Sequence, residues 1–251
     1  MHTAQALASP IRQCQLTNAR LPSHYLLPLV GSVETTQDGA ATGKRRGSLT
    51  TAILDQDEST QQSPTRSYVL AKHHALNFIT HRKKWPLIMQ ERLRKWLETR
   101  MGRSLQHAKE VQKHIAWDAD MAEVVRSKLT NDVLEHLRLG ILHKYVIDEE
   151  DYLQRTSGQK VQEVACVLKA GAYAPGLPQT FKQDKTPLYT LSGMLGQKCA
   201  SLDDLMMSKD SSKSAADVAW LVVLKDQRAV KLQMALMKLQ SYMEPQQSIC
   251  T

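Results

Sequence analysis

The stretch from His81 to Arg103 constrains this chain most, because it sets eight Lys or Arg residues against two acids, Glu91 and Glu98. Its apolar residues Trp85, Met89, Leu93, Trp96 and Leu97 recur in steps of four, four, three and one. That spacing collects on one face of an α-helix and cannot collect on one face of a strand, where side chains alternate. A two-sided helix is expected, with an apolar face for a core and a cationic face for an anion. Lys83, Lys84, Arg92, Arg94 and Lys95 are the candidate anion contacts. Pro86 suits the first turn of such a helix, which needs no N–H there, and Gly102 suits its C-terminal cap. Arg100 and Arg103 complement the negative end of the helix dipole, a role that requires no ligand. A solvated face accounts equally for the remaining charges.

Helical spacing extends on both sides. Val69, Leu70, His73, Leu76, Asn77 and Thr80 predict a helix over Ser67–His81. Ser104 is a candidate cap for a helix with Leu105, Ala108, Val111 and Ile115 inward. Asp118 or Asp120 opens a segment carrying Met121, Val124, Val125 and Leu129, and a further helix is expected from Asn131 to Lys144. Gly140 lowers the propensity of that helix by roughly 1 kcal/mol against Ala. Asp148 caps a short helix that begins Glu149-Glu150-Asp151, and Gln159–Ala170 is read as another. Residues 171–186 hold the Pro- and Gly-rich loop between two halves. Helices are predicted to resume after Thr186, over Leu202–Met207 behind Ser201, and from Ser214 to about Met243. Aromatic residues make up only 5% of the chain, which also favours helices over a large β core.

The expected fold is therefore all-α, an irregular array or short solenoid behind a disordered N-terminal tail. Residues 1–66 form the disordered segment, 67–170 the helical region with the basic helix, 171–186 the loop, 187–244 the C-terminal helical region and 245–251 a tail. No clean period of 33 to 47 residues marks tandem repeats. Residues 1–33 contain no Asp or Glu and carry Arg12 and Arg20, a composition similar to a mitochondrial transit peptide. Pro10, Pro22 and Pro28 interrupt the amphipathic helix such a peptide needs, although residues 1–9 can still form a short one. The predicted address is mitochondrial, with cytoplasm or nucleus as the alternatives. Within the linker, Lys44-Arg45-Arg46-Gly47-Ser48 makes Ser48 a candidate phosphorylation site, a nuclear or processing signal, or a plain charge run.

No apolar run approaches the roughly twenty residues that span a bilayer. The four cysteines are scattered without a Cys-x-x-Cys pair, so neither a disulfide framework nor a zinc site is expected, and Cys166 reads as a small buried hydrophobe. The nine histidines include no His-x-x-x-His and no Glu-x-x-His ligand pattern, so no metal and no cofactor are expected. Glu149, Glu150 and Asp151 are explained by the helix dipole without catalysis. No nucleophile or dinucleotide fingerprint occurs, and no enzyme is expected. The net charge of +8 is consistent with a nucleic-acid or anionic-membrane partner. Trp85 or Trp96 could stack on an unpaired base, but both lie on the inferred core face.

The run from Thr186 to Leu205, Thr-Pro-Leu-Tyr-Thr-Leu-Ser-Gly-Met-Leu-Gly-Gln-Lys-Cys-Ala-Ser-Leu-Asp-Asp-Leu, resembles fungal mitochondrial pentatricopeptide-like helical proteins. In that group a Pro-initiated apolar helix, a polar turn and a second helix follow one another. The resemblance implies an organellar, RNA-associated factor in mitochondrial gene expression. The function expected is a non-enzymatic RNA- or ribonucleoprotein-binding factor. The alternative is an interaction module or assembly factor whose basic face meets an acidic protein.

Overall fold

The computed structural model describes residues 2–35, 45–51, 61–62, 64–156, 163–170, 186–196 and 220–244. The chain divides into two units: an N-terminal one of residues 3–128 with 241–251, and a C-terminal one of residues 129–240 with 1–2. Both contain helices and sheet, so the all-α expectation is overturned.

The N-terminal unit is built on strand β3 (Leu26–Thr35). β3 pairs antiparallel with β4 (Arg45–Thr51) on one edge and with β5 (Gln61–Gln62) and β6 (Ser67–Leu70) on the other. β7 (Ile115–Trp117) adds to β4 in parallel. A separate hairpin joins β1 (Ile11–Gln13) to β2 (Arg20–Pro22). Its turn passes through Asn18 at φ 59°, a left-handed conformation that Asn tolerates better than most residues. A short helix α1 (His2–Leu7) precedes it. The expected disordered tail is thus corrected wherever it is described: Leu26, Leu27, Leu29, Val30 and Val33 are core residues, and Gly31 is buried among them. Processing beyond Leu26 would strip the strand on which three others pair.

The expected helix over Ser67–His81 is split. Ser67–Leu70 is β6, with Ser67 and Val69 buried and Tyr68 and Leu70 turned the other way. Only then does α2 (His73–His81) begin. The basic stretch is split as well: a 3-10 turn covers Trp85–Ile88, and α3 (Glu91–Met101) starts after an extended Gln90. The burial pattern still follows the apolar spacing, since Trp85, Met89, Leu93 and Leu97 are buried. Gly102 is the left-handed cap of α3 at φ 64° and ψ 32°. The next helix, α4 (Ala108–His114), is capped by His107 in a capping box with Glu110, not by Ser104. The two helices expected after Asp120 are one, α5 (Met121–Leu142), and the unit boundary falls after its Lys128.

In the C-terminal unit a four-stranded mixed sheet replaces the helix expected over Gln159–Ala170 and parts of those expected after Thr186 and from Ser214. β8 (Val146–Asp148), β9 (Val164–Lys169), β10 (Leu188–Thr190) and β11 (Trp220–Leu224) stand in the order β10-β9-β11-β8. The β9–β10 pair is parallel and the other pairs are antiparallel. Ile147, Tyr152, Val167, Trp220, Val222 and Leu224 form its core. α6 (Glu149–Thr156) follows Asp148, whose Oδ1 accepts the Asp151 N–H at 2.6 Å, the expected cap. α7 (Leu191–Leu195) follows β10, and α8 (Ala229–Met243) closes the described chain. The helix expected over Leu202–Met207 lies outside the described residues, as do residues 36–44, 52–60 and 63 of the expected linker.

Gly140 is required by packing. A Cβ there would stand 2.4 Å from Val146 Cγ2 and 2.9 Å from Tyr145 Cε2. Val146 is a strand residue with 1% exposure and has little room to move. Gly140→Ala is therefore expected to destabilise by about 1–3 kcal/mol through overpacking, despite the propensity gain of about 1 kcal/mol. Equilibrium denaturation of the two proteins measures the sign.

Candidate functional site

The N-terminal unit carries a groove of about 800 Å³ whose lining includes four arginines, Arg12, Arg20, Arg66 and Arg92, and, among the described residues, neither Asp nor Glu. Three segments bring them together. Arg12 and Arg20 come from the hairpin, Arg66 from the residue before β6, and Arg92 from the first turn of α3. The segments are tied by backbone donors: Gln15 N–H to the Tyr68 carbonyl at 2.8 Å, and Gln90 N–H to Ser67 Oγ at 2.8 Å. Ser67 is fully buried, so the start of α3 is fixed against β6 by a hydrogen bond that solvent does not compete for. Tyr68 turns into the groove because its neighbours Ser67 and Val69 take the core side of the strand. The Arg12 guanidinium lies 5.8 Å from the centre of the Tyr68 ring.

All four guanidiniums are exposed. Among the described residues, none of them forms an ion pair. Arg92 also stands at the positive end of the α3 dipole, where a cation is disfavoured by about 0.3–1 kcal/mol. Helix stability does not explain its place. Four like charges around one concavity raise the local potential and concentrate anions, and guanidinium forks suit phosphate oxygens.

The five cations expected from the sequence do not form one site. Arg92 lies in this groove. Lys83 lines a different one, of about 450 Å³, beside Lys113 and His114. Lys84 is exposed, with its ammonium 5.7 Å from the centre of the Phe78 ring. Lys95 is 2.7 Å from Glu91 one turn back, and this pairing holds the Glu91 carboxyl below its ordinary value. Arg94 is half-buried, and its Nε has no hydrogen-bond partner. Trp85 is not free to stack on a base: it is buried and lies parallel to Trp117, ring centres 5.8 Å apart. Arg12, Arg20 and Arg66 were missed by sequence reasoning, although the absence of acids before Glu34 was a signal for two of them.

Ser48 lies in β4 opposite Ser32, the two hydroxyls 2.5 Å apart. Strands pair on both sides of it, with Ser32 on β3 and Ala116 on β7 as its register partners. His73 is occupied by protein partners: Asn77 Nδ2 lies 3.3 Å from its Nδ1, and its Nε2 lies 2.7 Å from Glu123. His107 caps α4, and His114 accepts from Arg103 at 3.4 Å. Among the described residues no group of three or more His, Cys, Asp or Glu is placed to hold a metal, and no helix is long and apolar enough to cross a membrane.

Cys166 is fully buried on β9, and burial pushes its thiol up to about 12, against a smaller opposing hydrogen bond with Gln233. The thiolate needed for alkylation is therefore scarce near neutral pH. Iodoacetamide at pH 8 is expected to modify Cys166 only after unfolding, as read by peptide mapping. Prompt modification of the native protein would contradict this.

Residues 3–162, more than half of the 251, match the family described as required for respiratory growth protein 8, mitochondrial. No curated protein and no solved structure matches the chain. The matched span includes all four groove arginines, and it supports the mitochondrial address expected from the acid-free N-terminus. It does not support the pentatricopeptide-like resemblance, whose residues Thr186–Leu205 lie outside it. The chain belongs to the mitochondrial family described as required for respiratory growth protein 8.

Proposed function

We propose that this protein is a non-enzymatic RNA- or ribonucleoprotein-binding factor in mitochondrial gene expression, holding phosphates in the arginine groove. The observation that carries this is the convergence of Arg12, Arg20, Arg66 and Arg92 on one concavity that, among the described residues, no carboxylate lines. Each guanidinium that meets a phosphate releases condensed counterions, which supplies affinity and makes it salt-dependent. The family description agrees, because growth by respiration depends on the organelle's own gene expression. Lys83 and Lys84, both exposed, are proposed to add contacts to a longer chain, while Lys95 and Arg94 contribute less. The Lys95 charge is already shared with Glu91, and Arg94 is partly withdrawn from solvent.

The test is RNA binding by the full chain and by the R12E/R92E double variant, across a salt series. The wild-type protein is expected to lose affinity steeply with salt. The variant is expected to bind at least tenfold more weakly, with the log–log slope reduced by about 0.7 to 1 per arginine. In cells lacking the protein, the variant is expected to fail to restore respiratory growth while its melting temperature stays within a few degrees of wild type. Unchanged RNA affinity would overturn the proposal. An acidic protein partner would instead show as binding that excess RNA does not displace.

A further inference from the structure

We infer that the arginine groove takes unpaired RNA, one or two nucleotides at a time, and excludes a duplex. This rests on the RNA-binding function proposed above and narrows it. A site for duplex RNA needs cations and hydrogen-bond donors spread along a surface, because an A-form helix offers phosphates and 2′-hydroxyls while hiding its bases. The groove is concave and chemically mixed. Its lining also holds the half-buried Tyr68, Ile11 at 57% exposure, and the side chains of Gln13 and Gln90. On a duplex these groups would have nothing to meet.

Unpaired nucleotides supply a counterpart for each. Phosphates match the guanidiniums, base faces match flat or apolar side chains, and Watson–Crick edges match carboxamides, which both donate and accept. A volume of about 800 Å³ lies within the range that encloses one small ligand. That suits a nucleotide or two and not a helix. The position of Arg12 is specific to this chemistry. Its guanidinium lies 5.8 Å from the centre of the Tyr68 ring, so a cation and an aromatic ring stand together at the groove, one for a phosphate and one for a base. Ile11, next to Arg12 on β1, is a large apolar side chain left exposed in the same lining.

The inference is tested with the full-length protein by fluorescence anisotropy. The probes are a labelled unstructured 12-mer RNA, the same strand annealed to its complement, and heparin as a plain polyanion. The single strand is expected to bind at least tenfold more tightly than the duplex. R12K keeps the charge and removes the plane, and I11A removes the exposed apolar contact. Each is expected to weaken single-strand binding by about fivefold or more, the lower end of one lost base stack. Neither is expected to change the salt slope or heparin binding, whereas R92E is expected to reduce both. Equal affinity for single strand and duplex, with R12K and I11A neutral and R92E weakening both, would overturn this inference and leave RNA binding standing. Failure to bind either RNA form would overturn RNA binding itself.

Discussion

The seating of α3 on the sheet of the N-terminal unit is the contact on which the rest depends. Leu93 and Leu97 reach within about van der Waals distance of β3 at Gly31, where an added Cβ would lie 3.0 to 3.1 Å from their methyls. Met101, one turn further, reaches β4 at Gly47, where the corresponding distance to its sulfur is 2.7 Å. A Cβ at Gly31 would ask the leucine methyls to give by a few tenths of an ångström, and one at Gly47 would require the ends of Met101 and Ile115 to move. The steps Leu93, Leu97, Met101 place one row of side chains down onto the two strands, so α3 has a fixed rotation about its axis. That rotation sends Arg92 outward at one end. The hydrogen bond from Gln90 to buried Ser67 then fixes the height of that end against β6.

The electrostatics follow from where the acids are not. Glu91 is drawn to Lys95, and Glu98 uses a carboxylate oxygen to accept the Leu105 N–H at 2.7 Å, at the far end of α3. The two acids of the basic stretch are thus engaged away from the four guanidiniums. The hairpin brings none, because the chain has no acid before Glu34. A surface with a mild positive excess in composition becomes a concentrated one in space.

The sequence was most readable where apolar spacing was long. Leu93, Leu97, Val125, Leu129, Val133 and Leu137 are all buried, and the helices α3 and α5 carry them. It was misread where apolar runs were short. Val164–Leu168 and Trp220–Leu224 fit a helix turn or a buried strand equally well, and strands buried on both faces lose the alternation that would mark them. The scarcity of aromatics was a poor guide, because these strands fill their core mainly with Val and Leu. The acid-free N-terminus is legible as an address, but its contribution of two arginines to a groove is not. Arg12, Arg20, Arg66 and Arg92 are dispersed over eighty residues of sequence, and only β pairing, invisible in local periodicity, gathers them.

The parallel pairing of β4 with β7 has a consequence for the order of events in the cell. Gly47 meets Ile115 and Leu49 meets Trp117, so the sheet is complete only when residues more than sixty positions apart are present together. A pairing this distant in sequence raises the contact order of the unit, which lowers its folding rate. A polypeptide threading through an import channel would expose its cations one after another without ever presenting the concavity. The lining of the groove needs the chain only through Arg92, while the sheet of the same unit needs it through Trp117.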